Sequence, residues 1–219
     1  MISLAVALAY VLATRRVERW PLRCTAAWLA GCAVLGLCLS LDDSRLELHM
    51  LQHAGIALVA PPLLLLGAPL RLALRATRGW ARRALAGALV RSRAVAHPLV
   101  AWALFNATVL GVHLWGLGVR DPLSHGLEHA AMFWTAVLFW LPLVGAAPVP
   151  HRLGPLGALA YLMTAMPVMV GIALRLGGAP GAIMLGTGAV VTVAAVMGVV
   201  WPALLREESR QRAREGAAA

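Results

Sequence analysis

The chain has 219 residues, of which 61% are hydrophobic and only 13% charged, with a mean hydropathy of +0.79. A soluble domain carries about 25% charged residues and no more than about half apolar ones, so a water-soluble globule is excluded and an all-α, polytopic membrane bundle is expected. The formal net charge of +10 comes from 19 basic residues, all of them arginine; they cluster between apolar segments, where such charge sets membrane orientation rather than nucleic-acid binding.

Crossing the hydrocarbon layer takes about 20 mostly apolar residues in a helix. In chain order, apolar segments fall at 2–14, 22–41, 47–69, 97–117, 125–146, 155–176 and 182–204. The first is nearer a dozen residues; it is a short tilted span, or the true start lies upstream. No basic stretch precedes it and no small-residue cleavage site follows, so it does not read as a signal peptide. Cys24, Cys32 and Cys38 all lie in the second segment, which is no disulfide framework. Residues 1–205 are expected to form one transmembrane domain and 206–219 a charged cytoplasmic tail.

The arginines test this count. Sixteen of them follow the first, third, fifth and seventh segments, whereas the alternate loops hold only Arg45, Arg120 and Arg175, with the acidic residues Asp42, Asp43, Glu47 and Asp121. The positive-inside rule then predicts seven helices with the N-terminus outside and the C-terminus in the cytoplasm. The stretch 71–93 is too polar to span. Arg71, Arg75, Arg78 and Arg82 recur at helical spacing, which predicts one basic amphipathic helix lying on the anionic inner leaflet.

Seven histidines are present, and this topology sorts them. His97 and His151 fall on the inner side, where a plain structural role suffices. The other five gather at the outer side: His49 and His53 open the third segment (HMLQH), His113 lies near the outer end of the fourth, and His125 and His129 open the fifth (HGLEH). Residues four apart stack on one helix face about 5–6 Å apart, close enough for two imidazoles to share a metal. One such pair arises readily by chance. Two pairs on helices entering from the same side, with His113 reaching the same depth, point to a metal site just below the outer surface, since polar groups in a bilayer face the bundle interior.

Imidazole suits copper, zinc and iron, whereas thioether and thiolate select Cu(I). Met50 and Met132 lie three residues from His53 and His129, Met166 and Met169 flank Pro167, and Cys38 approaches the outer end of the second segment; these are auxiliary candidates, although methionines at such spacing usually just pack. Glu128 sits between the paired histidines and is placed to orient an imidazole. Pro61, Pro62 and Pro167 remove helix hydrogen bonds and should kink their helices.

The strings HMLQHAGIALVAPPLLLLGAPL, RSRAVAHPLVAW, HLWGL, DPLSHGLEHAAMFW and YLMTAMPVM together resemble the multi-spanning CtaG-type cytochrome c oxidase assembly factors of bacteria, over about residues 40–176. The resemblance implies a multi-pass protein of the bacterial plasma (inner) membrane that helps mature a haem-copper oxidase by supplying copper. Its partners would be oxidase subunits and a periplasmic copper donor, with no enzymatic activity. It attaches to His49, His53, Pro61, Pro62, His113, His125, Glu128, His129 and residues 165–169, and is looser at Ala54-Gly55. The main rival is a membrane zinc hydrolase built on the same histidines, with Ser44, Asp42 or Asp43 assisting. A haem carrier with axial histidines is a second.

Overall fold

The computed structural model describes residues 2–41, 44–116, 121–145, 148–149 and 151–218. Asp42 and Asp43, two of the outer acidic residues, and Arg120 lie outside these. All regular structure among the described residues is helical, and the chain folds as an all-α polytopic bundle. The helices are α1 (Ile2–Thr14), α2 (Leu22–Cys38), α3 (Leu46–Ala54), α4 (Ala60–Leu66), α5 (Pro69–Ala76), α6 (Gly79–Arg91), α7 (Pro98–Gly111), α8 (Pro122–Val144), α9 (Pro155–Leu176), α10 (Gly178–Ala195) and α11 (Trp201–Ala218). Five passages are long and apolar enough to cross a membrane: Leu46–Ala76, Pro98–Trp115, Pro122–Val144, Pro155–Leu176 and Gly178–Gly198, and two shorter apolar helices precede them.

Polarity is distributed as a bilayer demands. Large apolar side chains such as Leu99, Leu123, Leu174 and Val190 point outward and are exposed, while Gln52, His53, Asn106, His113 and His129 are buried inside. A lipid-facing surface has no reason to hide leucine, but polar groups must find partners within the bundle. The chain is a multi-pass membrane protein.

Pro61 and Pro62 predict a kink in the third passage. Just before the prolines the helix runs through a π-turn at Gly55–Val59, where the Ala60 N–H reaches back to the Gly55 carbonyl. Proline at 61 cannot donate to the Ala57 carbonyl four residues earlier. That carbonyl accepts a hydrogen bond from Trp140 Nε1 of α8 at 3.2 Å instead. The wider turn also brings the backbone at Gly55 against α2: a Cβ there would collide with the Cys38 sulfur. Cys38 in turn accepts at its carbonyl from Gln52 Nε2 at 2.9 Å, so α2 is fastened to α3 beside the histidines.

Two sequence expectations need correction. The basic segment 71–93 is two helices rather than one, because Thr77 is extended and its hydroxyl closes α5 on the Ala73 carbonyl at 2.7 Å, while Gly79 adopts φ +59°. The arginine face is therefore not continuous: the Arg71 and Arg75 guanidinia stand 5.3 and 5.9 Å from the Trp20 ring. The last apolar passage also begins at Gly178, four residues earlier than its hydropathy suggests. Gly177 at φ +63° and Gly178 at φ +50° reverse the chain between α9 and α10, and Gly181 lets α10 press on the Ala173 carbonyl of α9, where a Cβ would not fit. Pro167 remains inside α9.

Candidate metal centre

Three helices deliver the imidazoles. In α3, His49 and His53 lie one turn apart with ring centroids 4.1 Å from each other. In α8, His125 and His129 repeat the arrangement at 4.2 Å. The start of α8 is set by Asp121, whose Oδ2 accepts from the Ser124 N–H and hydroxyl, both at 2.9 Å. Those hydrogen bonds, the backbone one foremost, hold its carboxyl below the usual range. Asp121 is thus a helix cap that fixes where His125 falls one turn in.

The two pairs meet in register. The His49 ring is 5.2 Å from His125, and the His53 ring is 5.2 Å from His129. His113 joins from a second π-turn, Val112–Gly116 at the end of α7, with its ring 5.2 Å from His53. All five predicted histidines therefore form one cluster. It is graded in depth: His49 and His125 are half-buried, whereas His53, His113 and His129 are buried.

Among the described residues, ligand atoms of His49, His125 and His129 lie within 4.8 Å of one another. Imidazole nitrogens bind first-row ions at about 2.0–2.1 Å, so two on one ion stand up to about 4.2 Å apart; small ring rotations bring the three into range. Glu128 Oε2 is 3.9 Å from His125 Nδ1, an ion-pair distance but longer than a hydrogen bond.

Tautomers can be assigned at the buried end. His113 Nδ1 is 2.7 Å from the Val109 carbonyl. A carbonyl only accepts, so Nδ1 carries the proton and Nε2 is left with a bare lone pair. That Nε2 faces His53 Nδ1 at 3.5 Å. The other His53 nitrogen, Nε2, is buried with no hydrogen-bond partner among the described residues.

The auxiliary candidates divide. Met50 and Met132 are buried and line a small cavity with His53 and His113, and Met169 reaches the same space. Met166 faces an adjoining void and accepts at its sulfur from the Thr192 hydroxyl at 3.3 Å. Cys38, packed on Gly55, is not among the residues lining either space. At the opposite end, His97 caps α7 by accepting from the Leu99 N–H at 3.3 Å, and its ring lies 5.2 Å from that of His151. Met184 of α10 lines the cavity and has no signal in the sequence; a lone methionine in an apolar helix is silent until packing is known. Trp140 is silent for the same reason, although Pro61 announces that some donor must serve Ala57.

A membrane bundle with convergent imidazoles just inside one end defines the class. The family model of the cytochrome c oxidase caa3 assembly factor (Caa3_CtaG) matches residues 7–184, and the chain belongs to that family. Uncharacterized proteins of Mycobacterium bovis and Mycobacterium tuberculosis are each 29% identical to it over 193 residues, covering 80% of this chain and 29% of theirs. An uncharacterized protein of Mycobacterium leprae is 27% identical over 197 residues, covering 78% and 30%. The chain spans less than a third of the length of these curated relatives. No solved structure matches it.

Proposed function

We propose that this chain acts in the maturation of a haem-copper cytochrome c oxidase by holding copper at its clustered histidines and passing it on. Family membership supports the assembly role. The observation that carries the copper reading is the meeting of two i,i+4 histidine pairs from α3 and α8 in register. Imidazoles bind copper well without the closed thiolate cage that would make release slow. The arginine distribution supports a cluster on the periplasmic side of a bacterial plasma membrane, the side from which a periplasmic donor would load it and where oxidase subunits would receive the ion.

The trio His49, His125 and His129 is also a ligand set a hydrolytic zinc site could use. Metal content of the detergent-purified chain separates the readings. Copper is expected to be retained by the wild type and to fall, by the share the outer trio holds, in His49→Ala with His129→Ala. Equal copper in both proteins, or zinc together with hydrolysis of a lipid amide, overturns the proposal.

A further inference from the structure

The histidines do not all face the same chemistry. Below the half-exposed pair His49 and His125, the bundle encloses a cavity of about 20 Å³, room for one water-sized body. Met50 of α3, Met132 of α8, Met169 of α9 and Met184 of α10 line it with His53 and His113. The four methionines are 1%, 2%, 8% and 4% exposed. Methionine ordinarily serves a core by filling irregular gaps; here four of them, from four helices, surround a gap instead.

We propose that this cavity is a second metal site, distinct from the outer trio, that takes a monovalent soft cation, Cu(I), between the imidazoles of His53 and His113 and the thioethers of Met132 and Met184. The proposal rests on reading the histidine cluster as a metal-handling site. Three observations carry it. First, the Val109 carbonyl fixes the proton of His113 on Nδ1, so its Nε2 is ready to coordinate. Second, that Nε2 lies 3.5 Å from His53 Nδ1. Two nitrogens bound at about 2.05 Å with an angle between trigonal and tetrahedral stand about 3.4–3.5 Å apart. Third, the space these nitrogens border is lined by four buried methionines from four helices, thioethers that favour Cu(I).

The charge of the ion follows from the lining. Every donor there is neutral, with no carboxylate or thiolate among the lining residues. The cost of burying an ion grows with the square of its charge, so a divalent ion is disfavoured where nothing offsets it. Thioethers select Cu(I) on the same side of the balance. His53 connects the two sites, its ring 4.1 Å from His49 and 5.2 Å from His113, so an ion taken up at the outer trio moves inward by exchanging imidazoles for sulfurs.

The test uses the full chain in detergent, titrated anaerobically with Cu(I) against a chromogenic chelator and separately with Zn(II), together with copper K-edge X-ray absorption of the Cu(I)-loaded wild type. Met132→Leu with Met184→Leu keeps side-chain volume nearly constant and is expected to weaken Cu(I) binding about tenfold or more while leaving Zn(II) binding unchanged. His49→Ala with His129→Ala is expected to remove Zn(II) binding and leave one Cu(I). Sulfur scatterers are expected in the wild-type spectrum, a measurement that stands even if the methionine variant fails to fold. A nitrogen-only spectrum, or Cu(I) affinity unchanged in the methionine variant, overturns the inner site. If Cu(I) is lost only in the histidine variant, the outer site survives and the inner one does not. If it is lost only in the methionine variant, the inner site stands and copper binding at the outer trio falls.

Discussion

The bundle carries two polar clusters at opposite ends, and they are built on opposite principles. At the arginine-rich end, the Tyr10 hydroxyl donates to the Gly67 carbonyl at 2.6 Å and accepts from Trp20 Nε1 at 3.0 Å. Its ring stacks on Trp28 at 4.6 Å, and Arg71 covers Trp20. The Tyr10 hydroxyl meets both a donor and an acceptor, aromatic meets aromatic, and α1, α2 and α5 are locked together, although Trp28 Nε1 and Arg71 Nε have no hydrogen-bond partner among the described residues. At the histidine end, five groups of one kind are pressed against each other, and the lone pair of His113 Nε2 points at another imidazole. Like groups crowded together stabilise little by themselves. The first cluster is a fastening; the second, on the function proposed above, is arranged to hold an ion.

That contrast can be broken or sharpened by substitution, beginning where the effect should be largest. Gly55→Ala drives a methyl into the Cys38 sulfur and should lower thermal stability in detergent by an amount equivalent to about 1–3 kcal/mol, with metal retention falling too because His53 lies two residues away. Adding Cys38→Ala should restore both, since the contact left to the Cys38 Cβ is an ordinary 3.6 Å. A melting curve for the single and double variants decides it; no rescue means the π-turn is not held by this contact. Next, Trp140→Phe leaves the Ala57 carbonyl without the donor that Pro61 cannot supply, and about 1–3 kcal/mol should be lost. Unchanged melting would show that the carbonyl has found another partner. Smallest is Tyr10→Phe, expected to cost about 1 kcal/mol while copper content stays at the wild-type value. A drop in bound copper there would erase the distinction between the two ends.

Much of this arrangement is legible in one dimension. The apolar segments reveal the helices because hydrophobicity over a bilayer's thickness is a signal along the chain. The pairs His49–His53 and His125–His129 are legible because four-residue spacing fixes a shared face, and because alternating helix direction fixes relative depth. What stays hidden is every feature decided by neighbours across space. Met184 is indistinguishable from other apolar residues of α10 until that helix is seen against α3. The break at Thr77 escapes because the arginine spacing continues through it, so periodicity alone predicts one helix. The π-turn escapes for a subtler reason. Proline announces a missing N–H, but whether a helix bends, breaks or widens in response depends on who answers the orphaned carbonyl.

That widened turn has a geometric consequence for the whole third passage. One additional residue accommodated in a helix rotates everything beyond it by roughly 100° relative to an uninterrupted spiral. The upstream half, α3, packs on α10, and the downstream half, α4, packs on α2 and α8. A single rod could not show its best face to both sets of neighbours. Gly55–Val59 acts as a phase shifter, letting the half that bears the imidazoles and the half that bears the leucines be tuned separately, so the length of the chain between Ala54 and Ala60 is as much a part of the centre as its ring nitrogens.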